Sequence, residues 1–335
     1  MPLLDIRNLT IELDTPQGPA KALEKVSLTI NAGEMHGLIG ESGSGRSLLA
    51  RAILGIQDPS WHITADRMMW DGKNLMEMTR LQRRSLMGDE ISMIFQDPSG
   101  SFNPTYTIGK QLLEAIPVAN KWAFWRHTRD KRLTAQKWLH KVGIKNPRKV
   151  LNSYPWELSE GECQKVMIAM ALAKQPRLLI ADEPTASMEP ATQAQIYRLL
   201  MQLNQLQNVT VLLISHELDT LANWCNRMTV LYSGQVMESG PTSELLAQPN
   251  HPYTKALLDN MPDYDLAALH KKLMPTLPGS VPALRHLPIG CRLGPRCPEA
   301  RRQCVNQPVL SHYKDRYYAC HFPYHTEVPD DDLLA

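Results

Sequence analysis

The octapeptide Gly40-Glu41-Ser42-Gly43-Ser44-Gly45-Arg46-Ser47 has the spacing of a phosphate-binding loop, G-x-x-x-x-G-K-S/T, at every fixed position but one. Arg46 stands where that pattern has lysine. The glycines allow backbone N–H groups to curl around phosphate oxygens, and a helix starting at the loop adds the positive end of its dipole. Ser47 brings a hydroxyl for Mg2+, and Asp182, closing the apolar run "LLIAD", is the carboxylate expected to hold the metal's outer shell. Arginine keeps the lysine's charge but spreads it over a wide planar fork, so the exchange is not conservative in a tight loop. The chemistry expected is nucleotide binding with impaired positioning for hydrolysis.

A second set of reactive residues lies in the last fifth of the chain. Cys291, Cys297, Cys304 and Cys320 are spaced C-x5-C-x6-C-x15-C, whereas Cys163 and Cys225 stand alone as ordinary thiols. Outside an oxidising compartment such a cluster more often binds metal than forms disulfides. Structural zinc sites usually contain a tight C-x2-4-C pair, and none occurs here. Iron–sulfur clusters accept four thiolates at looser spacing, which ranks iron–sulfur first, zinc second and free thiols third.

The elements that must position these residues are legible as patterns. Within residues 3–39, "LLDIRNLTIEL" and "ALEKVSLTI" alternate as strands, and "MHGLIG" is a short apolar run feeding into the loop. "RSLLARAILGI" then has helical spacing, giving the strand, loop and helix that the phosphate motif requires. "PRLLIADEP" and "NVTVLLISHE" read as buried parallel strands joined by the helical "PATQAQIYRLLMQLNQLQ". "RMTVLYSGQVMESG" reads as a hairpin turning at Ser233-Gly234, and residues from about 105 to 157 as mostly helical. Within that segment, Trp122, Phe124 and Trp125 interleave with Lys121, Arg126, Arg129, Lys131 and Arg132, a pattern suited to lipid headgroups or to another subunit's loops. From about residue 261, prolines at 262, 275, 278, 282, 288, 295 and 298 predict a loop-rich appendage without long helices.

Composition narrows the function class. The 335 residues carry 36 Lys and Arg against 34 Asp and Glu, a formal charge of +2 without long runs of one sign, so nucleic acid is not expected as a partner. No apolar run approaches the ~20 residues of a membrane span, and the chain is expected to stay in the cytoplasm.

Five separated elements together carry a resemblance. They are the loop Gly40–Ser47, "IFQDPSGSFNP" at Gln96, "LSEGECQKVMIAMA" from Leu158, "LLIADEPT" with Asp182 and Glu183, and "LLISHE" with His216. In this order they resemble the ATP-binding subunits of ABC transporters. "HPYTKALL" from His251 and "LPGSVPALRHLPIGCRLGPRCPEARRQC" narrow the resemblance to the dipeptide and oligopeptide importers, with the Sap peptide transport systems most similar. The resemblance implies an α/β fold, a P-loop ABC cassette over residues 1–260 with a parallel-sheet core, an N-terminal antiparallel part and a helical subdomain at about 105–170. An importer-type appendage would follow over 261–335. It implies ATP and Mg2+ as ligands, with Ser47, Gln96 and Asp182 at the metal. Glu183 would polarise the attacking water, His216 would contact the γ-phosphate, and Ser159 and Gly161 would face the nucleotide of a second, homologous ATP-binding subunit. Two membrane permeases and, indirectly, a periplasmic substrate-binding protein would complete the assembly on the cytoplasmic face of a bacterial inner membrane. Importer subunits of this kind carry a 4Fe–4S cluster on such a tail, which would assign Cys291, Cys297, Cys304 and Cys320 to it.

Four departures from the family pattern set expectations of their own. Besides Arg46, the signature reads Leu158-Ser159-Glu160-Gly161-Glu162 where the family has L-S-G-G-Q. A carboxylate about 6 Å from a phosphate charge costs at most about 3 kcal/mol at an effective dielectric near 20. Glu189 replaces an aspartate, and no Phe, Tyr or Trp precedes Trp61, so the family's stacking of adenine on an N-terminal aromatic has no counterpart. The chain is therefore expected to bind nucleotide and to hydrolyse it poorly by itself. The competing expectation is a nucleotide-sensing regulatory subunit of a polyamine or ion transport system; a soluble ABC ATPase of DNA repair or translation fits the tail less well.

Overall fold

The computed structural model of the chain describes residues 2–325 except 17, 57, 118–123, 187 and 262–276. Strands β1 (Pro2–Thr15) and β2 (Gly18–Asn31) form a long antiparallel pair, followed by β3 (Met35–Ile39). Short strands β4 (Trp61–Thr64), β5 (Arg67–Trp70) and β6 (Lys73–Asn74) complete a five-stranded antiparallel sheet around β1. The second sheet adds β7 (Ile91–Ile94), β8 (Leu178–Asp182), β9 (Thr210–Ser215), β10 (Arg227–Tyr232), β11 (Gln235–Pro241), β12 (Ser311–Tyr313) and β13 (Arg316–Tyr318). Its order is β12-β13-β11-β10-β3-β9-β8-β7, parallel from β10 to β7.

β3, β8 and β9 are buried at every residue, which is why they read as unbroken apolar runs: both faces are covered. Side chains alternate between two cores. Leu178, Ile180, Leu212 and Ile214 face the antiparallel sheet and the helix Arg46–Leu54, while Leu179, Ala181, Val211 and Leu213 face the helical side. That second core includes the helices Ile108–Ala115, Phe124–Lys141, Pro147–Asn152 and Glu160–Ala173. The aromatic and basic cluster beginning at Lys121 falls largely outside the described residues or side chains. The β10–β11 hairpin turns at Ser233 and Gly234, both at positive φ, 43° and 81°.

The boundary expected near residue 261 lies beside the undescribed segment 262–276. Residues 277–325 are turn-rich, with single 3-10 turns at Leu284–His286, Gly294–Arg296 and Arg302–Val305, as frequent proline dictates. They are nevertheless built onto the cassette. β13 extends the second sheet at β11, Cys291 and Leu293 enter the helical-side core, and Arg316 forms a buried ion pair with Glu238 at 2.6 Å.

Candidate nucleotide site

The carboxyl ends of β3, β9 and β8 lie side by side, and from them issue the loop Gly40–Ser47, His216, and Asp182 with Glu183. Ligand sites of open α/β sheets form at this edge. The loop passes into the helix Arg46–Leu54 with Gly45 as N-cap, at φ 100° and without a capping side chain. The first N–H groups of this helix are thus left for a ligand. An alanine at Gly45 would adopt a left-handed conformation and press on Leu23, and a Cβ on Gly40 would collide with the Leu231 carbonyl. Ser44 points a buried hydroxyl into the loop without a protein partner, a donor fitted to an anion held there.

Four of the expected site residues meet on one carboxylate. Glu183 Oε1 lies 3.3 Å from Arg46 Nη2 and 3.0 Å from His216 Nδ1, and its Oε2 accepts from Gln96 Nε2 at 3.1 Å. Glu183 itself sits at φ 46°, a left-handed conformation that non-glycine residues hold at a cost where the surroundings enforce it. Arg46 is buried, and its Nη1 donates to the Ser215 carbonyl at 2.5 Å, so the guanidinium spans the ends of β8 and β9. Burial lowers its pKa, while Glu183 and Asp182 act in the opposite sense. Asp182 is also buried, which raises its carboxyl above the usual range; a hydrogen bond from Ser47 opposes this and the charge of Glu183 adds to it. Ser47 and Asp182 are therefore in contact, as a shared Mg2+ shell requires.

The signature residues lie elsewhere. Ser159 and Gly161 do not line the loop's cleft. Ser159 caps the helix Glu160–Ala173 in a reciprocal capping box: its Oγ accepts from the Glu162 N–H at 3.3 Å, and Glu162 Oε2 accepts from the Ser159 N–H at 3.1 Å. The Ser159 hydroxyl also lies 3.0 Å from that carboxylate oxygen. Glu162 thus covers the helix terminus with its own negative charge. The pattern S-x-x-E was present in the sequence as the signal for this fold-back. Glu189 is the N-cap of the helix Pro190–Gln207 and makes no capping bond through its side chain.

Residues that local patterns did not mark complete the loop's surroundings. Arg296 Nη1 donates to Glu41 Oε2 at 2.9 Å and to Tyr232 Oη at 3.2 Å. Tyr253 Oη accepts from the Glu41 N–H at 2.9 Å. Arg292 Nη2 donates to Glu24 Oε2 at 2.7 Å, and its Nη1 reaches the Ser233 carbonyl. The two arginines join the C-terminal segment to the loop and to β2 across 255 and 268 residues of chain, a separation no local pattern encodes.

Cys291, Cys297, Cys304 and Cys320 line one small cavity with His251, His321 and Phe322. Burial pushes the Cys297 and Cys320 thiols up to about 11, and the neighbouring sulfurs push in the same direction. Burial likewise raises Cys291 and lowers His251 to about 3, so the imidazole is neutral. The donor set has the chemistry of a soft-metal site, although among the described residues no group of three or more His, Cys, Asp or Glu is drawn together closely enough to hold a metal ion. Cys163 and Cys225 are buried in the helical-side core.

Comparison with known proteins adds to this geometry. The family model for ABC transporters matches residues 23–186, and that for the C-terminal region of oligopeptide/dipeptide transporters matches residues 237–304. The chain is 52% identical to the peptide transport system ATP-binding protein SapD of Salmonella typhimurium, over 98% of this chain and 99% of that protein. It is 48% identical to SapD of Haemophilus influenzae, covering 96% and 93% of the two chains. It is 41% identical to the dipeptide transport ATP-binding protein DppD of Escherichia coli, covering 96% and 97%. Among solved structures, the dimeric ATP-binding cassette MJ0796 bound to ADP and Pi superimposes with a TM-score of 0.63 at 23% identity, covering 71% of this chain and 98% of that one. CbiO1 of Clostridium perfringens, part of the ABC transporter complex cbiONQ, gives 0.59 at 25% identity, covering 73% and 91%.

Proposed function

We propose, from the premise that this chain belongs to the ATP-binding subunits of peptide ABC transporters, that it works as the slow half of an unequal ATPase pair. The observation carrying this reading is the Glu183 carboxylate, held by Arg46, His216 and Gln96 at once. The loop's N–H groups, Ser44 and Arg46 bind the phosphates of ATP. Ser47, Asp182 and Gln96 would hold Mg2+, which when bound neutralises charge on the β- and γ-phosphate oxygens. Glu183 orients water, and His216 contacts the γ-phosphate. Arg46 opposes that role of Glu183 by occupying its carboxylate, so the ion pair must open before Glu183 can serve. The purified chain is expected to bind Mg-ATP in the micromolar to millimolar range with almost no turnover. Brisk hydrolysis by the isolated chain, abolished by Glu183→Gln, refutes this reading.

The partner is a second, homologous ATP-binding subunit in a head-to-tail heterodimer, with the signature start facing the partner's nucleotide. Trp156, 69% exposed and stacked on Tyr154 just before the signature, supports an interface at this face. Two permeases would dock in a groove lined by Met76, Met78, Met87, Met93 and Met167 and by Phe95, adjacent to Gln96. Methionines adapt such a surface to inserted side chains. Among the described residues no helix is long and apolar enough to cross a membrane, and the subunit would sit peripherally on the cytoplasmic face of the inner membrane, with a periplasmic substrate-binding protein supplying cationic or antimicrobial peptides. Loss of permease co-purification in Met78→Glu with Met87→Glu tests the groove.

For the tail, Cys291, Cys297, Cys304 and Cys320 would hold a 4Fe–4S cluster, which when bound supplies a staple to a turn-rich segment. Their convergence on one cavity supports this. Anaerobically purified protein is expected to be brown with about four irons per chain, and Cys297→Ser to bleach it; colourless protein with one zinc per chain refutes it. The second reading, a nucleotide-sensing subunit of a polyamine or ion transport system, draws on the same Arg46–Glu183 pair and is distinguished by turnover remaining absent in the assembled complex.

A further inference from the structure

The first sixty residues contain no Phe, Tyr or Trp, so neither β1, β2 nor the loop can offer a ring to a nucleobase. The cleft over the loop, about 790 Å³, has instead an aliphatic side. Glu183, Gln96 and His216 line it where the terminal phosphate belongs. Besides Leu48 and Ser233, its wall includes Ala22 of β2 and, from the C-terminal part of the chain, Leu257, Pro282, Leu284 and Leu287. These last five are half-buried. Leu284 opens the 3-10 turn Leu284–His286, which Pro282 precedes and Leu287 follows, and this turn packs against β2.

The wall is fixed at both margins. Arg296 donates through Nη1 to Glu41 in the loop and through Nε to the Pro278 carbonyl at 2.9 Å, four residues before Pro282. Arg292 is paired with Glu24, two residues beyond Ala22 on β2. Both guanidiniums are buried, so the tail is set against the loop and β2 by two ion pairs whose cations are withdrawn from water. A polyphosphate held by the loop's N–H groups, with its terminal group toward Glu183, leaves its nucleoside on the opposite, aliphatic side of the same cleft.

We infer that residues 282–287 of the C-terminal segment, together with Ala22 of β2 on which they pack, are the base-binding wall of the nucleotide site, covering a purine with Pro282, Leu284 and Leu287. The inference rests on the reading that the loop holds a nucleoside triphosphate. The wall works by removing the base from water rather than by stacking it on a ring. It makes the C-terminal segment part of the nucleotide site, so a chain ending with the cassette would hold the phosphates and lose the nucleoside.

The experiment is titration calorimetry of the full-length chain with Mg-ATP and, separately, with magnesium tripolyphosphate, which has the phosphates without the nucleoside. Leu284→Ser with Leu287→Ser is expected to weaken ATP about tenfold and to leave tripolyphosphate within about twofold. Leu284→Trp, which restores a ring, is expected to tighten ATP about fivefold without changing tripolyphosphate. Unchanged ATP affinity in both variants overturns the wall while leaving the loop's assignment intact. Equal weakening of both ligands by the serine pair, with no gain from tryptophan, also overturns it, because the turn then merely supports the loop. A wild-type chain that binds neither ligand overturns the nucleotide reading itself, and the wall with it.

Discussion

Two helix starts in this molecule, at Gly45 and at Ser159, are finished in opposite ways. The helix Arg46–Leu54 begins at Gly45, which has no side chain and leaves the terminal N–H groups open. The helix Glu160–Ala173 begins at Ser159, and Glu162 folds back to fill that terminus with a carboxylate. An N-terminus attracts anions through its unpaired N–H groups and its dipole, and one of the two already has an anion supplied by its own chain. The difference teaches that a signature turn can keep its serine, its glycine and its helix and still be occupied.

The comparison is sharpened most by removing the carboxylates from the second terminus. Glu160→Gly with Glu162→Gln is expected to raise turnover of the proposed heterodimer by one to two orders of magnitude, on the order of the ~3 kcal/mol repulsion between a carboxylate and a docked phosphate. Glutamine at 162 still satisfies the capping box, so the helix start persists without its charge. Loss of the gain when the partner's catalytic glutamate is removed locates the effect in the partner's nucleotide; an unchanged rate shows that Glu162 moves aside on assembly.

Closing the open terminus is the converse. Gly45→Ala must hold φ 100° and displace Leu23, and is expected to weaken Mg-ATP about tenfold in direct binding measurements. Unaltered affinity would mean that the loop reshapes around its ligand. Arg46→Lys tests the Glu183 carboxylate that Arg46 occupies. A lysine cannot span Glu183 and the Ser215 carbonyl with one planar group, so single-turnover hydrolysis should rise about tenfold with little change in ATP affinity. The smallest effect belongs to Ser159→Ala, which removes the cap and should cost about 1 kcal/mol in urea unfolding. No change there would show that Glu162 carries the terminus unaided.

Short-range patterns made much of the cassette legible. β3, β8 and β9 were plain as apolar runs because parallel strands are covered on both faces. The Ser233-Gly234 turn was plain because a Ser-Gly pair between two apolar runs marks a tight turn, and Gly234 takes its positive φ without cost. β4, β5 and β6 escaped notice: they are two to four residues long and exist through pairing with β1 or with each other. Glu162 was legible as a charge in the wrong place, and its direction was equally legible in S-x-x-E, a purely local signal.

The sequence by itself determined the loop, the acidic strand end, the histidine after β9 and the four cysteines, because each is a motif set within a few residues. Only the tertiary structure decided that Arg46 turns to Glu183, that Arg292 and Arg296 clamp the tail to Glu24 and Glu41, and that Leu284 and Leu287 face the loop. A sequence states that an arginine needs a carboxylate and that a leucine needs cover. Which of the chain's 34 acidic residues is near enough, and which face is left uncovered, follows only when the β11 edge receives β13 and draws the last fifth of the chain back over the first.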